Sequence, residues 1–373
     1  MLDGNVLLRQ KRDEVPEGTL SCPDRNLAVF HHYRHYEGLR LLPSVYDSKL
    51  IQQTLFKFRN KHMKNFLVFN TVLLLSMSPF LHAQTRRALV IGIGQHEDKT
   101  WGKINGDKDV AYVAEMLKGA MYKEENITRL VNRQATKVGI VGAFKRMTAS
   151  CKHGDVVYIH YSGHGQQMTD VHNDERDGLD ECWIPYDAYR KASATYHGEK
   201  HLTDDELNVY LNAIRHKIGA RGKLLVVIDA CHSGDGTRGN NDEVVRGVED
   251  TLVVDSLNAR GLYETFEMLK SLFMGDNDKE KIINAKAKPL AERWITISAC
   301  RSDQVNFEMK KPAVGKLTYA LWYELKKSGK VSNEEFMKLI RRFVNRNTGS
   351  RPQQPEMTGE DIGKYNITDI LNK

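Results

Sequence analysis

Five short apolar runs, rich in β-branched residues and separated by stretches of helical period, constrain this chain more than any other feature. "RRALVIGIG" (86–94), "ENITRLV" (125–131), "DVVYIHY" (155–161), "KLLVVIDAC" (223–231) and "RWITISAC" (293–300) read as strands. Several are apolar over their whole length and bounded by glycine or polar residues, as in strands buried on both faces. Between them, "DVAYVAEMLKGAM" (109–121) sets Val110, Val113, Met116 and Leu117 at helical spacing. "TKVGIVGAFKRMTAS", "HLTDDELNVYLNAI", "GKLTYALWYELKK" and "NEEFMKLIRRFV" read as further helices. Thr203 is placed to cap the third, with Glu206 reaching back in a capping box. Alternation of this kind predicts an α/β sandwich, a mainly parallel sheet between layers of helices. The stretch 235–290 breaks the rhythm and reads as a surface insertion with one helical pattern, "YETFEMLKSLFM".

In open parallel sheets ligands bind beyond the carboxyl ends of the strands. Two reactive side chains fall there: His164, after "DVVYIHYSG", and Cys231, after "KLLVVIDA". A thiol is a nucleophile only as thiolate, so a catalytic cysteine needs a base nearby. His164 is suited to take that proton and return it to a leaving amine. The Gly165 and Cys231 amides are candidates for holding a developing oxyanion. The residues alone leave a blander reading open, since a cysteine ending an apolar strand is often a small buried hydrophobe and a histidine among glycines a turn residue. His160 and His164 are four apart, but the strand pattern around them does not suit a helical metal pair, and no metal is expected in catalysis.

The remaining sequence narrows the setting. A net charge of +7 over 373 residues, without basic runs interleaved with aromatics in the patterned region, does not indicate nucleic-acid binding. Five cysteines without C-x-x-C spacing do not form a disulfide framework or a zinc site. Residues 1–62 show no regular period and read as an upstream extension without structural role. Residues 63–83, "MKNFLVFNTVLLLSMSPFLHA", have a basic lead, an apolar middle and a small-residue exit, the parts of a secretory signal. They predict an exported chain, periplasmic, cell-surface or secreted, whose main domain spans 84–373. An N-terminal membrane anchor is the alternative, although Asn70 and Pro79 leave the run short of the roughly 20 apolar residues a span prefers.

"HYSGHG" followed by "DACHSG", with "RALVIGIG" upstream and "ITISACRSDQ" downstream, resembles the metacaspases and their bacterial relatives, the caspase-like cysteine peptidases. The resemblance runs from about residue 86 to "QQPEMTG" (353–359). It implies a caspase-like three-layer sandwich, His164 as general base and Cys231 as nucleophile, cutting peptide bonds through a thioester. It also implies an acidic pocket selecting Arg or Lys before the cut, formed by Asp229, Ser162 and a carboxylate in "NGDKDV". Asp109 is the best match for that carboxylate and Asp107 its competitor. The expected partners are protein or peptide substrates containing Arg or Lys.

By the same resemblance, Asp180, Asp204 and Asp205 match calcium ligands, while Arg238 stands where a fourth acid would fall and opposes a divalent ion. The blander role for these acids is a solvated loop and helix capping. In the insertion, Arg238, Arg246 and Arg260 lie within reach of a basic-selective site and are candidates for self-cleavage. The rival readings are a caspase-fold protein that binds without cutting and a nucleotide-binding α/β module built on "IGIG", which lacks the third glycine of the dinucleotide fingerprint.

Overall fold

The computed structural model describes residues 53, 56, 57, 84–172, 174–232, 243–273, 293–347 and 351–372. Residues 53, 56 and 57, helical and exposed, belong to a first unit, Met1–Phe80; the second unit is Leu81–Lys373. The upstream extension and signal segment otherwise lie outside the described residues, as does Arg238.

The second unit is built on a six-stranded sheet of β1 (Arg86–Gly92), β2 (Ile127–Val131), β3 (Val156–Ser162), β7 (Lys223–Asp229), β8 (Ile295–Ser298) and β11 (Glu356–Thr358). Their spatial order is β11-β8-β7-β3-β1-β2. All neighbours are parallel except β11 on β8. Each of the five apolar runs supplies one strand, as expected.

The two-residue period of the strands divides the core. Ala88, Val90, Tyr158, Leu225 and Val227 face one way. They pack with α1 (Gly106–Gly119), α5 (Lys316–Lys327), α6 (Asn333–Arg346) and α7 (Ile367–Leu371), through Val113, Leu117, Leu321, Phe336, Ile340 and Ile370. Leu89, Ile91, Val157, Ile159, Leu224 and Val226 face the other way, onto α2 (Lys137–Ser150) and α3 (Asp204–Ile218) through Phe144, Leu211 and Ile214. Burying each such aliphatic or aromatic side chain is worth about 1.5–3 kcal/mol. The sheet is therefore a rigid support for whatever its strand ends carry.

Beyond the end of β3, a hairpin of β4 (Gly165–Thr169) and β5 (Leu179–Trp183), joined by β6 (Leu202–Thr203), forms a small antiparallel sheet. Thr203 caps α3 by accepting from Glu206 N, but only half the capping box forms: the Glu206 carboxylate accepts instead from Lys137 Nζ at 2.8 Å. A short pair, β9 (Glu308–Met309) and β10 (Val314–Gly315), leads into α5.

The stretch read as a surface insertion does contain a helix, α4 (Ser256–Phe273), with much of its length exposed. The described residues ahead of α4 behave differently. Arg246, Val248, Leu252 and Val254 are all buried, threaded between the sheet end and the β4–β5 hairpin.

Candidate active site

β3 and β7 are direct neighbours with Ser162 opposite Asp229, so His164 and Cys231, two residues beyond each, occupy equivalent positions at one sheet edge. His164 Nε2 lies 2.7 Å from Gly102 O, where only a protonated nitrogen makes a bond. In the neutral ring that leaves Nδ1 with a lone pair, and Nδ1 is buried without a hydrogen-bond partner. The Trp101 ring stacks on His164 with centroids 5.3 Å apart, and His96 lies on another side. Burial, helped by the charges of Arg246 and Arg190 and opposed by the Gly102 carbonyl, pushes the His164 pKa down to about 4. The imidazole is therefore neutral, with its proton-accepting nitrogen vacant.

Cys231 is also buried. Its thiol donates to Gln304 O at 3.0 Å, an oxygen that Cys300 Sγ shares at 3.4 Å. The imidazole and thiol are thus brought to the same edge without a hydrogen bond between them in this state. The Cys231 amide points at another carbonyl: it donates to Arg246 O at 2.8 Å. Gly165 packs directly against the Cys231 carbonyl, so the two residues expected to frame an oxyanion do border one another.

Asp109 and Asp229, the carboxylates expected to form an acidic pocket, come together with Glu308 around this chain's own Arg246, whose side chain is fully buried. Its Nη1 lies 2.6 Å from Asp109 Oδ2 and 3.5 Å from Asp229 Oδ1, and Nη2 lies 3.0 Å from Glu308 Oε1. Ser162 Oγ donates to Asp109 Oδ2 at 2.7 Å, and Gly315 N donates to Asp109 Oδ1 at 2.9 Å. Asp229 accepts from Asn306 Nδ2 and from both the amide and the hydroxyl of Thr318. His160 bridges Tyr158 to Ser162 and Thr318 behind the pocket. Asp107, the competitor for Asp109, instead accepts from Asn132, and its carboxylate fills the space in front of Gly94. An anionic group there is hostile to a phosphate, which counts against the nucleotide module.

Burial pushes the Asp229 carboxyl up, but Arg246, Thr318 and Asn306 together outweigh it and hold the pKa below the ordinary value. Asp109 goes the other way: burial, with Asp229 beside it, raises its pKa against the pull of Arg246. Glu308, Thr318 and Asn306 escaped the sequence reading because no local motif marks them. They come from the loop before β9, from β9 itself and from the first turn of α5, and only the folded chain shows them converging.

The Arg246 backbone also has a definite path. Glu308 N donates to Val244 O, Val245 pairs antiparallel with Phe307, and Arg246 N donates to Asn306 O. Beyond it, Leu252 accepts from Thr169 N and donates to Gln167 O, while Arg190 Nη2 holds Asp250 at 2.7 Å. Arg260, by contrast, lies exposed on α4, paired with Glu264.

The acidic loop forms a second cluster. His172, Asp180 and Asp205 bring ligand atoms within 4.8 Å of one another. Both Asp180 carboxylate oxygens and Asp204 Oδ1 are buried without hydrogen-bond partners. Burial, with repulsion among these acids, raises the Asp180 pKa to about 8 and that of Asp204 to about 7. Orphaned buried carboxylates fit a hard divalent cation, so the donor set is compatible with calcium. His172 was absent from the expected set; its Nδ1 lies 2.6 Å from Asp205 Oδ2. Burial lowers its pKa, but Asp205, Asp180 and Asp174 more than reverse that and raise it.

The chain is 28% identical over 296 residues to Metacaspase-1A of Aspergillus oryzae, covering 72% of this chain and 67% of that one. It is 32% identical over 164 residues to Metacaspase-2 of Arabidopsis thaliana, covering 42% and 36%. Among solved structures, protein GSU0716 from Geobacter sulfurreducens matches with a TM-score of 0.50 and 23% identity over 78% of this chain and 97% of that one, a likeness of fold. The Peptidase_C14 family model, described as the caspase domain, matches residues 85–366, and with that span of the sequence accounted for, the chain belongs to the caspase-domain family of cysteine peptidases.

Proposed function

We propose that this caspase-family peptidase cuts protein and peptide chains after Arg or Lys, with Cys231 as nucleophile and His164 as general base, and that its first substrate is its own Arg246–Gly247 bond. One observation carries the reading: a buried arginine fills the acidic pocket while its own carbonyl oxygen accepts from the amide of Cys231. That is how a bond about to be cut would lie. Three carboxylates favour a guanidinium or ammonium and repel an acidic side chain.

In this mechanism the vacant Nδ1 of His164 takes the Cys231 proton once the thiol turns from Gln304 O. The thiolate attacks the Arg246 carbonyl carbon, and negative charge grows on the oxygen already bonded to the Cys231 amide. His164 gives its proton to the Gly247 nitrogen as the peptide bond breaks. Water, deprotonated by the same imidazole, then releases the thioester. Gly102 O keeps the ring in the required tautomer throughout.

No step passes through a metal. Asp180, Asp204 and Asp205, with His172 beside them, would hold calcium; its contribution would be to neutralise their charge and order the loop before α3. The signal-like segment 63–83 supports export, and a native N-terminus near Gln84 distinguishes a cleaved signal from a retained anchor. The wild type purified beside Cys231→Ala tests the peptidase reading. The wild type is expected to yield a fragment beginning Gly247-Val248-Glu249 while the variant stays whole. Two unbroken chains, with and without calcium, or equal cutting in both, would overturn it.

A further inference from the structure

The acidic pocket addresses the residue before the cut. The residue after it meets a different constraint. A side chain at Gly247 would put its Cβ 2.3 Å from the Cys231 carbonyl oxygen, 3.0 Å from the carbonyl carbon and 3.2 Å from the Cys231 Cβ. The first of these is far inside van der Waals contact. The obstacle is backbone, so it does not swing aside as a long side chain would.

Nor is the turn free to retreat. On its other side the same carbonyl oxygen lies 2.4 Å from where a Cβ on Gly165 would stand, so Gly165 and Gly247 clasp one peptide group from two directions. The Cys231 amide is meanwhile fixed to Arg246 O. Gly247 is not among the glycines with positive φ, so what it supplies is space and not an unusual backbone angle. Past Gly247 the chain drops Val248 into an apolar socket with Trp101, Met168 and Ile184.

We propose that the site selects glycine immediately after the cut, so that its substrates are extended protein segments carrying Arg–Gly followed by an aliphatic residue. This rests on reading Arg246 as a resident substrate. It extends to other chains because the wall is the nucleophile's own carbonyl: any peptide seating its arginine carbonyl on the Cys231 amide along the same path meets it. Discrimination by one methyl group is roughly 10- to 200-fold in kcat/KM.

The test compares three compounds on the full chain: N-acetyl-Val-Val-Arg-Gly-Val-amide, its Arg-Ala-Val counterpart, and N-acetyl-Val-Val-Arg methyl ester, whose leaving group is small. At least tenfold faster cutting of the Gly peptide, with the ester also hydrolysed, is the expected result. Equal cutting of the Gly and Ala peptides overturns glycine selection and leaves the Arg-directed peptidase standing. So does ester hydrolysis with neither peptide cut. Turnover of none of the three removes the peptidase reading and this inference with it.

Discussion

Removing the resident cation is the sharpest perturbation the structure offers. In Arg246→Met, made in a Cys231→Ala background so that cutting does not confuse the result, Asp109, Asp229 and Glu308 lose the guanidinium at 2.6, 3.5 and 3.0 Å. Asp229 keeps its bonds to Thr318 and Asn306, and Glu308 keeps Asn105, so the pocket retains hydrogen bonds but no counter-charge. Breaking a buried ion pair from one side costs about 3–5 kcal/mol. For a domain of this size each kcal/mol moves the Tm by roughly 2–4 °C, so a fall on the order of 10 °C is expected. The sign with pH follows from the carboxylates. Without arginine, burial is left to raise the folded pKa values of Asp109 and Asp229 above the unfolded ones, so the deficit is largest at pH 8 and shrinks as acid protonates them in the folded chain. Thermal unfolding from pH 5 to 8, with and without N-acetyl-Val-Val-argininamide, reads all of this. The ligand should restore stability as RT ln(1 + [L]/Kd), a gain of about 2.7 kcal/mol at a hundred times its Kd. A Tm within a degree of the parent at every pH, unmoved by the ligand, would refute a buried arginine held by three acids.

Two further outcomes test the rest of the site. The His164 pKa is held near 4 by burial, and a base works only unprotonated, so kcat/KM on an Arg peptide should persist through pH 6 and fall only as pH approaches that value; an acid limb centred on the ordinary histidine value would show the ring is not buried at work. Asp180 has two buried carboxylate oxygens without partners, so Asp180→Asn should raise the Tm of the EDTA-treated chain by several degrees and abolish any calcium-induced rise, both read by calorimetry.

The sheet could be read in the sequence because buried parallel strands leave nearly continuous apolar runs, and the register that makes His164 and Cys231 neighbours follows once β3 and β7 pair. Ser162, Asp229 and Asp109 carried motif information; the two carboxylates meet at Arg246, and Ser162 donates to Asp109. What was hidden had a common cause. Glu308 on the two-residue strand β9, Asn306 just before it and Thr318 at the start of α5 are ordinary polar residues locally and gain meaning only from the groups they face in the fold. Arg246 was legible as a basic residue in a loop, one of three such arginines, but nothing local separates it from Arg260; the difference is that one is sealed in a pocket and the other is solvated on α4. His172 was passed over because a histidine in an acidic loop has no helical or strand period to mark it.

On the proposed reading of Arg246 as a resident substrate, latency and specificity have one physical origin. Three carboxylates buried together are costly unless a cation joins them, and a pocket built to prefer a substrate's arginine is for that reason poorly stable when empty. A tethered arginine resolves both demands: it holds the pocket formed while the chain folds, and at the effective concentration of a short linker it excludes competing side chains. Because its carbonyl already rests on the Cys231 amide, the same contact that blocks the site also aligns the bond whose cleavage would begin to free it. On that reading the thiol's bond to Gln304 O, in place of one to His164, must break before the stored arginine is cut.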